Sequence, residues 1–476
     1  MQSTDVENIL PLQSEHFTNP RIYEGVLLMK KIDLARDAAV RTVHRVLREG
    51  AYSNIALKEE LDKDRLERVD KALVTEIVNG TLRNLTRIDW IISRFIKMKS
   101  IDPWIEDIIR CGIYQIIFLD RIPDSAVCNE SAELARKYGN EGTVRLVNGV
   151  LRNISRKKEK LEYPDKSKNP ALYLSIFYSH PEWIVRRWIR DYGSEFTEAL
   201  LKANNEKPPF TIRCNRLRIE KKSLLAILAE EGIEYADGSY NAEAINIRGT
   251  SSIEAKESFK KGYYQVQDES SMLVAHIVDP KPGDKVLDIC SAPGGKTTHM
   301  AELMDNKGEI VARDVHRHKL RLVEENCARL GVSIVRTEIF DAMVEDRDSI
   351  GKYDRVLLDA PCSGFGVMRR KPDLRWKKDL NNLKDLVDMQ RRMLELASGY
   401  VKPGGKLIYS TCTVNRAENL EVVRDFLSND LQFQMESIIG QVPEKLENDS
   451  AHMGYLELYP NVHGTDGFFI AKMGKR

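Results

Sequence analysis

The spacing of hydrophobic positions divides the chain into regions. Between residues 34 and about 160 they recur every three or four residues. Ala39, Val43, Val46 and Leu47 make one stripe, and Ile105, Ile108, Ile109, Gly112, Ile113 and Ile116 another. That period predicts amphipathic helices, and with few glycines and short polar connections it predicts an all-α domain over 31–163. The preceding 1–30 lack any helical period and carry Pro11 and Pro20, so they read as a disordered extension, with Met1 to Leu28 dispensable for folding. Arg36, Arg41, Arg45 and Arg48 recur on the first helix; a solvated charged face is the commoner reading and a phosphate-contacting stripe the sharper one.

A charged stretch over 155–170, with Arg156, Lys157, Lys158 and Lys160 followed by Pro164 and Pro170, reads as a hinge-like linker. Beyond it, 170–268 mix the two periods and predict a small α/β domain. Over 179–193 a helix is expected, with Ser179 as N-cap and Pro181 in its first turn. Arg186, Arg187 and Arg190 lie beside Trp183 there, an arrangement that suits RNA, although a core helix with a solvated face is commoner. The stretch 208–219 alternates Thr211, Arg213 and Asn215 against Ile212 and Cys214, as a half-buried strand does, which points Cys214 into a core and makes it inert. One of Asp268, Ser270 or Ser271 is expected to cap the next helix.

From 269 to 476 apolar runs alternate with helical patterns. Strands are expected at 286–289, 309–312, 333–337, 353–359 and 405–410, with helices at 318–330 and 383–400. Such alternation predicts a mostly parallel sheet with helices on both faces, a Rossmann-like α/β domain whose ligands lie at the carboxyl ends of the strands. Its first strand ends in a turn of small residues, DICSAPGGKTT over 288–298. Glycines there let a ligand approach the backbone, and the helix start offers unpaired N–H groups. A P-loop is disfavoured: Gly295, Lys296 and Thr297 fit its tail, but Cys290 stands where its first glycine is required. Asp314, about twenty residues past the turn, suits ribose hydroxyls and so an adenosyl cofactor.

Composition narrows the setting. The 476 residues suggest roughly three domains. A net charge of +1 excludes a wholesale basic coat, so any nucleic-acid surface is a local patch. No membrane span or signal peptide is visible, which makes a cytoplasmic location the default. Seven cysteines, at 111, 128, 214, 290, 327, 362 and 412, contain no C-x-x-C pair, so neither a disulfide scaffold nor a metal site is expected.

Two thiols stand out. Cys362 follows the strand that ends at Asp359, and Cys412 follows the strand that ends at Ser410, both on the edge of the cofactor turn. A single thiol is more often a structural one, but two at equivalent positions beside a nucleotide site suggest chemistry. A thiol next to a methyl donor suits methylation of pyrimidine carbon 5, where thiolate addition at carbon 6 makes carbon 5 nucleophilic. Asp359 is placed to hydrogen-bond the base edge; its blander role is cofactor contact or a strand-end cap.

These stretches resemble known families. DLARDAAVRTVHRVLREGAYSN at 33–54 and RLVNGVLRNI at 145–154 are similar to the NusB-like helical RNA-binding domain. LDICSAPGGKT, DAPCSGFGVMRRKPDLRW, YSTCTVNRAEN and HGTDGFFIAKM resemble the RNA 5-methylcytosine methyltransferases, and together with a NusB-like domain the Sun/Fmu type that acts on 16S ribosomal RNA. The resemblance implies that Cys412 is the nucleophile and that Cys362 assists product release. It further implies that Cys290, Ser291, Ala292, Pro293, Gly294, Gly295, Lys296, Asp314, Asp341 and Asp359 contact S-adenosyl-L-methionine. A monomer acting on 16S ribosomal RNA is the expectation. A transfer RNA cytosine-5 methyltransferase and a NusB-like assembly factor without turnover are the alternatives.

Overall fold

The computed structural model describes residues 33–63, 66–97, 100–249, 253–377 and 379–476. The extension expected over 1–30 lies outside them. Among the described residues, Leu34–Arg48, Ser53–Leu61, Arg68–Arg83, Leu85–Phe95, Pro103–Phe118, Asp124–Tyr138 and Glu141–Lys157 are the helices of the first domain. Its core gathers Val43, Ile77, Ile88, Ile109, Ile113 and Leu151 around the apolar helix Pro103–Phe118. That helix starts where the sequence requires: the Asp102 side chain accepts from the N–H groups of Trp104 and Ile105, with Pro103 in the first turn.

Three expectations need correction here. The first-helix arginines form neither a bare solvated face nor an open phosphate stripe. Arg36 pairs with Asp33, Arg41 with Asp37 and Glu60, Arg45 with Glu59, and Arg48 with Glu106, so acidic groups of the same and neighbouring helices take up the charge. The charged linker begins later than expected, because helix Glu141–Lys157 runs through Arg156 and Lys157, and Lys158 pairs with Asp124. Ser179 does not cap its own helix, Glu182–Tyr192, whose N-cap is Pro181. Its hydroxyl instead accepts from the Thr86 N–H, 2.9 Å away, in the first turn of Leu85–Phe95.

The second region carries an antiparallel sheet of β1 (Phe210–Cys214), β2 (Glu234–Asp237), β3 (Ala244–Arg248) and β4 (Tyr264–Val266), in the order β2-β3-β1-β4. Ile212 and Cys214 face its core, as the alternation predicts. The opposite face of β1 is also buried, contrary to a half-buried reading, because it packs on the third domain. Arg213 is fully buried there, paired with Glu302 at 2.6 Å and bonded to the Gly295 carbonyl at 2.9 Å.

The third domain has the sheet β5 (Lys285–Ile289), β6 (Glu309–Asp314), β7 (Val335–Ile339), β8 (Tyr353–Asp359), β9 (Val401–Thr411), β10 (Phe433–Met435), β11 (Tyr455–Leu458) and β12 (Phe468–Lys475). The order is β10-β12-β9-β8-β5-β6-β7, with β11 also on β12. Strands β5 to β9 are mutually parallel and β12 runs antiparallel to β9. Near-continuous apolar runs such as Val356, Leu357 and Leu358 suit strands covered on both faces. From β5 the order proceeds one way to β6 and the other way to β8, which opens a crevice at their carboxyl ends. Asp268 caps helix Glu269–Val278, one of the three residues expected to do so.

A short segment ties the third domain to the first. Helix Ser53–Leu61 lacks a side-chain cap of its own, and Asp373 supplies one, accepting from the Ser53 hydroxyl at 2.5 Å and the Ser53 N–H at 3.3 Å. The Trp376 indole donates to the Leu82 carbonyl, and the Lys377 ammonium to that of Ala51. Arg375, fully buried, donates to the carbonyls of Arg83, Ser179 and Asn204 and to the Asn205 side chain. Arg375→Ala is expected to destabilise the protein by about 3 kcal/mol or more, since four acceptors, two half-buried and two buried, lose their donor. Urea denaturation checks this, and an unchanged midpoint contradicts it.

Candidate active site

The turn after β5 is shaped by backbone constraints. Cys290 takes φ of 63° and Gly294 φ of 95°. A Cβ on Gly294 would lie 3.1 Å from the Val323 Cα, so both conformation and crowding favour glycine. The Ser291 N–H and hydroxyl both bond to the Arg313 carbonyl, at 2.8 and 3.1 Å, which fixes the turn to the end of β6. Helix Gly295–Leu303 then begins with Gly294 as its N-cap.

A cavity of about 490 Å³ opens at the crevice between β5, β6 and β8, within the size range of small-molecule sites. The structure brings Cys290, Ala292, Asp314, Asp341, Asp359, Cys362 and Cys412 to its wall. Ser291, Pro293, Gly294, Gly295 and Lys296 do not line it; they form the turn behind. Asp314 is the last residue of β6, and one of its oxygens accepts from the His316 N–H. Asp341 is exposed and accepts from the Met343 N–H. Met389 and Met393, not singled out from the sequence, give the cavity an apolar side. Acidic groups at successive strand ends beside an apolar wall suit the ribose and base of an adenosyl group.

Asp359 ends β8 and has both oxygens engaged, by the Lys296 ammonium at 2.6 Å and the Ser410 hydroxyl at 2.8 Å. Burial disfavours the Lys296 ammonium, but pairing with Asp359 outweighs it and the net shift is upward. Beyond β8 and β9, the sulfurs of Cys362 and Cys412 lie 3.4 Å apart. The contact lowers Cys412 from the ordinary thiol range, with the Cys362 S–H as donor, and Lys296 and Lys371 add to this. The same contact, with burial, raises Cys362 well above that range. One thiol is thereby disposed to carry charge and the other a proton. Cys214 is raised to about 12 by burial.

Two groups escaped the sequence reading. Glu418, Asn415 and Asn419 lie in the stretch quoted for its resemblance, but nothing local showed that they sit buried behind the two thiols. Glu243, His276 and His299 meet between β3's approach and the helices Glu269–Val278 and Gly295–Leu303, with donor atoms within 4.8 Å of one another. By donor type they are able to hold a metal ion, and a search for cysteine pairs does not reveal them because they come from separate elements. Here the His276 Nε2 hydrogen-bonds a Glu243 oxygen at 2.7 Å, and the His299 Nε2 lies 3.1 Å from the same oxygen.

The sheet order, the crevice and the acidic strand ends define a Rossmann-like methyltransferase fold. The family model for the 16S rRNA methyltransferase RsmB/F matches residues 275–474, that of the NusB family 33–156, and that of the RsmF/B-like ferredoxin-like domain 180–254. A Bacillus subtilis (strain 168) protein named "Probable ribosomal RNA small subunit methyltransferase B" is 39% identical over 94% of this chain and 100% of its own length. The Klebsiella pneumoniae ribosomal RNA small subunit methyltransferase B is 31% identical over 94% and 100%. Among solved structures, that of PH0851 superposes with a TM-score of 0.78 at 27% identity, covering 93% of this chain and 98% of that one. NSun6 from Pyrococcus horikoshii, solved with SFG, gives 0.53 at 25% identity, covering 61% and 97%. The chain belongs to the ribosomal RNA small subunit methyltransferase B family.

Asp288, under the turn, yields a pH prediction. It is fully buried, one oxygen accepts from the Thr297 hydroxyl and the other has no partner; burial raises its carboxyl to about 7. The unfolded value is about 3.9, so between roughly pH 4 and pH 7 the folded state holds a proton that the unfolded state has lost. Stability from this group therefore falls as pH rises through that window, by at most about 1.4 kcal/mol per unit, and is level above it. Asp288→Asn is expected to gain stability relative to the unaltered chain from pH 4 to 7 in urea denaturation; parallel curves contradict this.

Proposed function

We propose that the protein methylates carbon 5 of a cytosine in 16S ribosomal RNA, with Cys412 as nucleophile and S-adenosyl-L-methionine as methyl donor. The observation that carries this reading is the 3.4 Å approach of Cys412 to Cys362 at the mouth of the cofactor-sized cavity. Family membership and the relatives' names support ribosomal RNA as substrate. The NusB-like domain supports RNA binding by the first domain, and a cytoplasmic monomer fits this reading.

The Cys412 thiolate adds to carbon 6 of the cytosine; the S–C6 bond forms as the C5–C6 π pair moves to carbon 5. S-adenosyl-L-methionine would supply an electrophilic methyl to carbon 5, its S–CH3 bond breaking to leave the neutral thioether. Loss of the carbon 5 proton to solvent water then restores the C5–C6 double bond as the S–C6 bond breaks, and the Cys362 S–H assists by donating to the departing Cys412 thiolate. Lys296 holds a positive charge near Cys412 and is itself oriented by Asp359. For the donor, Cys290 and Ala292 of the turn with Asp314, Asp341 and Asp359 would form the binding surface, the rest of the turn standing behind them. Asp314 would bond the ribose hydroxyls, and Met389 and Met393 would offer an apolar side to the base.

Cys412→Ala is expected to lower methyl transfer to 16S ribosomal RNA by about a thousandfold or more, read with labelled S-adenosyl-L-methionine. Cys362→Ala is expected to leave enzyme covalently held on RNA, seen as a slow band in a denaturing gel. Full activity of the first variant overturns the assignment. Transfer RNA methylated in preference to ribosomal RNA would instead favour the other substrate.

A further inference from the structure

A buried carboxylate lies behind the two thiols with no cationic partner in the described residues around it. Glu418, 0% exposed, takes four hydrogen bonds. One oxygen accepts from the Ser363 hydroxyl at 2.6 Å and the Asn415 amide at 2.8 Å; the other accepts from the Ser363 N–H at 2.7 Å and the Gln390 amide at 3.2 Å. A carboxylate is an acceptor only, so these four donors fill its lone-pair directions. The donors come from both thiol loops and from the helix Leu380–Gly399. Ser363 adjoins Cys362, while Asn415 lies on the loop of Cys412.

The network orders its own protons. The Ser363 hydroxyl gives its proton to Glu418, so the Thr413 hydroxyl, 2.7 Å away, donates to Ser363 and accepts in turn from the Asn415 N–H at 3.2 Å. Thr413 is the residue after Cys412. Gln390 also donates to the Pro361 carbonyl at 2.8 Å, on the other side of Cys362. The next residue, Asn419, accepts from the Thr411 hydroxyl at 2.6 Å and donates to the Thr413 carbonyl at 3.0 Å, on either side of Cys412. We propose that Glu418 is a positioning residue for the reaction: it clamps the Cys362 loop to the Cys412 loop and keeps the two thiols in donor and acceptor order.

The electrostatics agree with that geometry. After the Cys412 contact and burial, the charge of Glu418 opposes ionisation of Cys362. Cys412 instead feels Asp359, Lys296 and Lys371, of which the two cations favour its thiolate. Glu418 behind one thiol, and two cations near the other that work against Asp359, help divide the pair into proton holder and nucleophile.

This inference deepens the proposed cysteine mechanism and rests on it, so its test includes a readout that needs neither RNA nor methyl donor. In the full-length protein, Glu418→Gln removes the charge and an acceptor while keeping the shape. Methyl transfer is expected to lose at least about tenfold in kcat, with KM for S-adenosyl-L-methionine within about twofold. Iodoacetamide labelling at neutral pH, mapped by peptide, is expected to shift from Cys412 towards Cys362. A merely structural role would change labelling of both thiols together. Should that variant not fold, Ser363→Ala, which keeps the N–H but removes the hydroxyl link, is expected to shift labelling in the same sense. A labelling ratio unchanged in the folded variant, or kcat within about twofold of the unaltered chain, overturns the proposal. If Cys412→Ala stays active while the labelling shift occurs, the nucleophile assignment falls and the clamp stands.

Discussion

The two sulfurs meet because β8 and β9 are adjacent parallel strands, with Asp359 opposite Ser410. Each chain leaves its strand at the same edge of the sheet, and a few residues later both deliver a cysteine, 3.4 Å from the other. At that distance the thiols cannot ionise independently: one must donate for the other to hold charge. Lys296 and Lys371 near Cys412, and Glu418 behind Cys362, bias the choice towards Cys412 against the opposing charge of Asp359. The sheet order supplies the rest, since the crevice where the order reverses puts the cavity beside that thiol.

The same region of chain also joins the domains. Just beyond Cys362, the Gly366 N–H donates to the Cys412 carbonyl, and a Cβ at Gly366 would lie 1.9 Å from the Gly467 carbonyl oxygen. Within a dozen residues of that contact, Asp373 caps a helix of the first domain, and Arg375 fills a buried junction of all three regions. The NusB-like domain is therefore packed directly against the segment that carries one of the two thiols. On the other side, Arg213 of the ferredoxin-like sheet reaches the carbonyl of Gly295 in the turn after β5.

What the sequence disclosed follows a physical division. Strand ends were legible because a buried parallel strand reads as a continuous apolar run, and the residues after it are then the ones to inspect; Asp314, Asp359, Cys362 and Cys412 all emerged this way and all line the cavity. Contacts between distant segments were not legible. Arg213 sits at a position that alternation assigns to solvent, and only the packing of one domain on another buries it. Ser179 and Asp373 have the chemistry of helix caps, but the helices they cap belong to another part of the chain. Glu418 reads as one more polar residue of a helix start, since a single-sequence pattern carries no sign that four donors converge on it.

The central claim is that Cys412, and not Cys362, bonds to the pyrimidine. It is tested most directly with a 16S ribosomal RNA fragment carrying 5-fluorocytosine, in which carbon 5 has no proton to lose, so the adduct cannot break down by the normal route. Incubated with the enzyme and S-adenosyl-L-methionine, digested and analysed by mass spectrometry, it should yield a nucleotide attached to the peptide containing Cys412. Attachment at Cys362, or no attachment while ordinary RNA is methylated, would contradict the account.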